Sequence, residues 1–446
     1  MDPTLIYVLF GTFFLLLLLG APITASLGVS ALAAFLYVGQ NPASFVQIAF
    51  TSVGSFPLMA LPAFILAGAL MEASGISRRL VDIAEAFAGP ATGGLAAATV
   101  FACMFFGAIS GSGPATTAAV GMLMIPAMVQ RQYDRGYASA ITASSGGLGV
   151  VIPPSIPMVI FGITGMGMMP PPEAVALHGS FQTLSIPKLF IAGVFPGMVI
   201  AGCLLAMNYF LSKKHGYRGL TDHWCTSSIR TALRRGVWSI LAPIIILGGI
   251  YSGLFTPTES AVVAIFYTLV VGIFIHKELK FRPALKTLET TTWISGRVLL
   301  ILFTATVFGR LLVEQRVPAY IASAMLDFTQ NMYLIWAMII LFLLFVGMFM
   351  ETLAAIMILT PVLLPIMYML GADPVHVGIV MVCALAIGFQ TPPLGENLFV
   401  ASGIGGASIE EISYRALPFA AASIIALFII AYVPEIALWL PRVMGY

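Results

Sequence analysis

The chain has 446 residues, 60% hydrophobic and only 9% charged, with a mean hydropathy of +1.02. Soluble globular chains carry about 25% charged residues, so 20 basic and 18 acidic side chains cannot clothe a water-exposed surface of this size. The net charge of +2 gives no argument for nucleic-acid binding.

Thr4–Leu19 is an uncharged apolar run behind Met1-Asp2-Pro3. No positive n-region precedes it, so it reads as a retained first span rather than a removed signal. Gly20-Ala21-Pro22 turns directly into a second apolar run. Thr92–Met128 and Met332–Met369 are each too long for one crossing of ~30 Å of hydrocarbon, and each carries a polar or glycine-rich break at its middle. They read as re-entrant helical hairpins. Segments 137–167 and 375–405 follow them as helices broken at Gly146–Ser155 and Gly388–Asn397. Cys103, Cys203, Cys225 and Cys383 show no CxxC spacing and read as small buried hydrophobes.

Half of the 20 basic residues fall between Lys213 and Lys286, in two clusters. Lys213, Lys214, Arg218, Arg230, Arg234 and Arg235 form the first; Lys277, Lys280, Arg282 and Lys286 form the second. The positive-inside rule places both in the cytoplasm, so the turn Leu254–Glu259 between them faces out. Residues 212–236 then form a cytoplasmic basic linker. Ile229–Val237 and Lys277–Thr290 are both amphipathic and basic, a character that interfacial helices and simple topology-setting charge share. With both hairpins re-entrant, the halves 1–211 and 237–446 hold about five crossings each, an odd number that inverts one half relative to the other. Both termini come out on the far side from the basic clusters. The expected fold is an all-α polytopic membrane protein of two inverted-topology repeats.

A shared offset supports the repeat. Pro126 and Pro365, Gly149 and Gly388, and Pro153 and Pro392 are each 239 residues apart. Past the double prolines the register slips, because Met168–Ser185 adds an external loop. Inverted repeats with interruptions at matching positions are the strongest sequence pointer to the midplane site of a secondary transporter. Gly and Pro are also common in ordinary membrane helices, but two Pro-Pro pairs at one offset exceed that background.

Four polar breaks converge on this arithmetic: Ser110–Thr117 at the first hairpin tip, Met350-Glu351-Thr352 at the second, and the two helix breaks. Prolines and glycines at mid-membrane free backbone groups that hydrocarbon cannot satisfy. Carbonyls with Ser, Thr and Asn oxygens make a neutral cage suited to Na⁺, and helix N-termini suit a carboxylate. A proton relay wants several acids or histidines at membrane depth, and few are available. Glu351 is the main acidic candidate, with capping of the Thr352 helix as its structural reading. Glu396 stands beside the second break, and Glu72 and Glu259 lie near span boundaries. Arg297 and Arg310 read as snorkelling toward an interface. HExxH, P-loop and Walker-type lysine patterns are absent, and the five histidines sit in loops or at their edges, which argues against an enzyme and against ATP as energy source.

At these motifs the sequence resembles the large membrane subunit of tripartite ATP-independent periplasmic (TRAP) transporters. The resemblance spans essentially the whole chain. Ser110-Gly111-Ser112-Gly113-Pro114-Ala115-Thr116-Thr117, Ile152–Ile156, Thr360-Pro361 through Leu364-Pro365, and Thr391–Val400 carry it. It implies an elevator-type, ion-transporter-superfamily architecture in a bacterial inner membrane, importing an organic acid with Na⁺ as the coupling ion and no other cofactor. C4-dicarboxylates, sialic acid and other sugar or keto acids are the candidate substrates. It implies two partners, a small four-helix membrane subunit and a periplasmic substrate-binding protein, with the small subunit not fused to this chain. It nominates Ser110, Ser112, Gly147 and Pro153 for one sodium site, and Thr352, Gly388, Thr391 and Gly395 for the other. Expected substrate contacts are Ser112, Gly113, Thr116, Pro154, Ser155, Pro393 and Asn397. The nearest rival is a Na⁺–carboxylate symporter that needs no binding protein.

Overall fold

A backbone surrounded by apolar side chains must satisfy its own amides and carbonyls, and a helix does this within one segment. The computed structural model describes every residue except 1–2, 40, 55–58, 89, 218–225, 330, 393 and 446, and the described residues contain helices and no strand. The first half comprises α1 (Pro3–Leu18), α2 (Ile23–Tyr37), α3 (Pro42–Val53), α4 (Ala60–Ala73), α5 (Ile76–Ala88), α6 (Gly94–Ser110), α7 (Gly113–Gln130), α8 (Arg135–Gly146), α9 (Leu148–Val151), α10 (Ile156–Met166), α11 (Pro172–His178) and α12 (Ile186–His215). The second comprises α13 (Thr226–Tyr251), α14 (Pro257–Val270) with a π-helical end at Val271–Ile275, α15 (Phe281–Glu314), α16 (Val317–Phe328), α17 (Met332–Phe349), α18 (Thr352–Met369), α19 (Pro374–Gly388), α20 (Glu396–Gly405), α21 (Ile409–Tyr432) and α22 (Glu435–Val443). Eight described helices are long and apolar enough to cross a membrane, or nine if the bent pair α4–α5 counts as one.

Both long segments expected to break do so. α6 stops at Gly111, whose φ of +61° is the left-handed conformation glycine adopts at no steric cost. Ser112 then caps α7, with Pro114 in its first turn. α17 stops at Met350, and α18 starts after Glu351. The breaks in the following helices are also present, between Val151 and Ile156 and between Gly388 and Glu396. Asp134 and Asp373, again 239 apart, each cap the helix that leads into a break, accepting from Tyr137 N (2.9 Å) and Val375 N (2.8 Å).

The halves pack reciprocally. α7 lies on α20 and α18 on α10, so the second helix of each tip rests on the helix beyond the other half's break; likewise α4 lies on α14 and α2 on α15. α19 is apolar almost all round and is buried along its whole length. α5 alternates buried Ile76, Leu80, Val81 and Ile83 with exposed Arg78 and Asp82, as a peripheral amphipathic helix does.

The two basic stretches lead into long helices: Ile229–Val237 runs unbroken into α13, and Lys277–Thr290 enters α15 from Phe281. Pro283 falls in the first turn of α15, where no helical amide is lost, so nothing interrupts it. In the first half, α4 and α5 bend by 67° at Ser74-Gly75. Arg79 pairs there with Glu278 (2.9 Å), and His276 Nδ1 meets Ser74 O (3.0 Å). Burial and the nearby Arg79 push the His276 pKa down, partly opposed by the Ser74 bond and Glu278. Helix enters the expected basic linker 212–236 from both sides, as far as His215 and from Thr226; residues 218–225, with Arg218 and Cys225, lie outside the described residues. The loop 168–185 contains α11, and His178 Nε2 meets Met369 O at 3.0 Å on the end of α18.

Near the linker, Tyr137 OH donates to Asn208 Oδ1 (2.7 Å), and Asn208 Nδ2 donates to Gly93 O (3.3 Å), tying α8, α12 and the start of α6 together. Asn208 Oδ1 also accepts from Ser212 Oγ (3.1 Å), so Tyr137→Phe removes one of its two donors and is expected to cost ~0.5–1.5 kcal/mol, read as a lower melting temperature in detergent with transport retained.

Candidate functional site

The first tip folds on its own hydroxyls. Ser110 Oγ and Thr116 Oγ1 lie 2.8 Å apart, Thr116 Oγ1 donates to Ser112 O (2.6 Å), and Ser112 Oγ accepts from Ala115 N (3.5 Å). The tip rests on the first break: a Cβ on Gly149 would lie 2.8 Å from Ser112 O, and one on Gly111 would lie 3.3 Å from Pro154 O. Pro153 and Pro154 are buried and joined by a cis peptide. Ser155 is buried; it donates to Val150 O and caps α10, accepting from Met158 N (3.3 Å). Gly147 lies against α19, where a Cβ would stand 3.0 Å from Ala386 O, so Gly149 and not Gly147 is the glycine under the first tip.

The second tip is built differently. Glu351 holds the N-cap position of α18, yet its side chain makes no capping bond. Its carboxylate turns to Arg297 of α15, Nη2 to Oε2, at 3.0 Å. This corrects the capping reading of Glu351 and gives Arg297 a carboxylate partner. Arg310 also pairs, with Glu314 at 2.7 Å. Thr352 is buried and its hydroxyl has no hydrogen-bond partner among the described residues. In the second break, Thr391 Oγ1 donates back to Ile387 O (2.8 Å), and Asn397 N donates to Phe389 O (3.1 Å). A Cβ on Gly395 would lie 2.7 Å from Phe389 C, so this loop closes tightly. Pro393 lies outside the described residues.

Both units share one device. A Cβ on Gly107 would lie 2.5 Å from Gly149 Cα, and one on Gly388 would lie 2.7 Å from Gly347 Cα. The first helix of each pair therefore touches the broken helix backbone to backbone, through small residues, as membrane helix interfaces do when no hydrophobic force drives them together. Asn397 joins the units: it is fully buried, and its Nδ2 donates to Ala143 O of α8 at 3.0 Å.

The tips meet at one cavity of about 350 Å³. Ser110, Ser112, Gly113, Glu351, Thr352 and Glu396 line it, closed by Glu72 of α4 and Arg297 of α15. Thr116, Ser155, Gly388 and Asn397 are buried but are not on its wall, and Thr391 is half-buried off it. Among the described residues no group of three His, Cys, Asp or Glu side chains is placed to hold a metal. The unpartnered oxygens are neutral instead: Thr352 Oγ1, Gln390 Oε1 and Asn397 Oδ1 are buried without a partner among the described residues. Buried polar atoms of this kind are costly unless something binds them.

Sequence reasoning did not nominate Gln390, Gly149 or Arg297 for the site. Gln390 stands inside the Gly388–Asn397 break and was within reach. Arg297 was not, because it is a single charge on a long helix with no local motif.

The family described as tripartite ATP-independent periplasmic transporter, DctM component, matches residues 10–436. The chain is 46% identical over 97% of its length to the isethionate TRAP transporter permease protein DctMQ of Oleidesulfovibrio alaskensis, spanning 66% of that protein. It is 35% identical to the C4-dicarboxylate TRAP transporter large permease protein DctM of Rhodobacter capsulatus, over 98% of this chain and 99% of that one. It is 33% identical to the sialic acid TRAP transporter large permease protein SiaM of Vibrio cholerae, over 97% of each chain. Among solved structures it shares its fold with the Alcanivorax borkumensis YdaH transporter, with a TM-score of 0.62, 14% identity and coverage of 97% of this chain and 99% of that one. By this match the chain belongs to the DctM component, the large permease, of the tripartite ATP-independent periplasmic (TRAP) transporter family.

Proposed function

We propose that the chain is the permease subunit of a Na⁺-coupled, binding-protein-dependent importer of small organic anions, working by elevator alternating access between two inverted repeats. The observation that carries this reading is the convergence of both tips on one cavity, each tip followed by a broken helix at the same offset. Na⁺ travels as cargo, held by neutral oxygens at the tips and breaks. The unpartnered Thr352 and Gln390 oxygens support the second site, and the Ser110, Ser112 and Thr116 cluster supports the first. The names of the relatives cover a sulfonate, isethionate, and two kinds of carboxylate, all small organic anions. A periplasmic binding protein and a small membrane subunit complete the system in the inner membrane, with both termini of this chain periplasmic. The name DctMQ of the relative that this chain covers to 66% is consistent with a companion membrane segment.

The test is uptake into proteoliposomes holding the permease, its small subunit and its binding protein. An inward Na⁺ gradient is expected to drive accumulation of isethionate, succinate or N-acetylneuraminate. Accumulation that continues unchanged with choline in place of Na⁺ sinks the coupling.

A further inference from the structure

The cavity between the tips carries three carboxylates, Glu72, Glu351 and Glu396, and one cation, Arg297, among its described lining residues. An anion entering it finds three carboxyl groups and a single guanidinium, so the guanidinium decides whether it can stay. That guanidinium is already occupied, by the carboxylate of Glu351 at 3.0 Å. The engagement is one-pronged, through Nη2 alone, although an arginine fork matches a carboxylate or sulfonate with two parallel bonds. The Arg297 side chain is 70% exposed and that of Glu351 32%, and a pair this exposed is weakly held.

We infer that Arg297 is the anion-recognition residue of the cavity and that Glu351 holds its place until a substrate carboxylate or sulfonate displaces it. This rests on the organic-anion reading above. The released Glu351 has a destination. It already stands at the N-cap position of α18 without making the capping bond, so a side-chain rotation gives its carboxylate the free amides of that helix. Glu351 thus has two partners: Arg297 on α15 when the cavity is empty, and its own helix when it is filled. Because α15 and α18 carry the two halves of the pair, the exchange removes an ionic link between the second tip and α15 while the two helices stay packed against each other.

The exchange predicts opposite effects from the two partners, whereas a purely structural ion pair predicts the same effect. The measurement is titration calorimetry of isethionate and, in a parallel arm, succinate into the purified permease complex in detergent with Na⁺ present. For the probe that the wild type binds, Arg297→Gln is expected to weaken binding at least tenfold and Arg297→Lys to recover part of it. Glu351→Gln removes the internal competitor and is expected to tighten binding severalfold. The arm that responds tells sulfonate from carboxylate. If both neutralising variants weaken binding, if neither moves it, or if the wild type binds neither probe, the inference falls. Na⁺-driven uptake by wild-type proteoliposomes is scored separately. If uptake stays intact while the variants shift together, only the exchange is lost; if wild-type Na⁺ dependence is lost, the underlying reading goes with it.

Discussion

Gly388→Ala is expected to lower the melting temperature of the protein in detergent and to abolish uptake. The new methyl would stand 2.7 Å from Gly347 Cα, and that atom is backbone in a packed helix, so no flexible side chain can yield. Overpacking of this kind costs ~1–3 kcal/mol, and here it also pushes α17 away from α19, which moves the second tip. Gly107→Ala should behave alike in the first unit, where the methyl would stand 2.5 Å from Gly149 Cα. Gly248→Ala is the control. Nothing lies within 4 Å of a Cβ there, and the site is interior to α13. The ordinary preference of helices for alanine over glycine then makes that change neutral or stabilising by up to ~1 kcal/mol. The same substitution with opposite signs at two helical glycines separates close approach from helix propensity. Equal melting shifts at Gly388 and Gly248 would contradict it.

Thr352→Val is expected to raise the Na⁺ concentration for half-maximal uptake at least tenfold while leaving the melting temperature in the absence of Na⁺ unchanged or higher. The sign follows from the hydroxyl, which is buried and unpartnered. Removing an unsatisfied polar group and keeping its shape is neutral or stabilising for the fold. If the oxygen serves Na⁺, the same change removes a ligand. Sodium titrations of uptake, with thermal melts at zero and saturating Na⁺, separate the two effects. A normal Na⁺ midpoint in the variant would remove Thr352 from the ion site.

The convergence of the tips was legible because the breaks are written in residue types with few alternatives. Ser110–Pro114 holds two glycines and a proline within five residues, and both Pro-Pro pairs interrupt long apolar runs at one offset. Hydrocarbon permits such interruptions only where protein or cargo satisfies the freed backbone, so pattern led directly to place. How far the basic stretches extend as helix was not legible, for a related reason. Basic amphipathic character is local, whereas the continuation of Thr226–Tyr251 and Phe281–Glu314 as single helices depends on what each helix packs against along its length. The partner of Glu351 was equally out of reach, since a capping position and an ion pair with a residue 54 positions away look the same in the one-dimensional chain.

The sequence by itself determined a polytopic helical membrane protein, the two long segments that break, the two interrupted helices that follow them, and the offset that relates the pairs. Each is a local matter of hydropathy, chain length and the backbone preferences of glycine and proline. Only the tertiary structure decided which glycines touch, that Asn397 reaches Ala143 in the other half, and that Arg297 closes the cavity opposite Glu351. Those facts depend on which helix faces of distant segments meet, and with both halves built from nearly uniform apolar helices, the chain carries little local information about such facing.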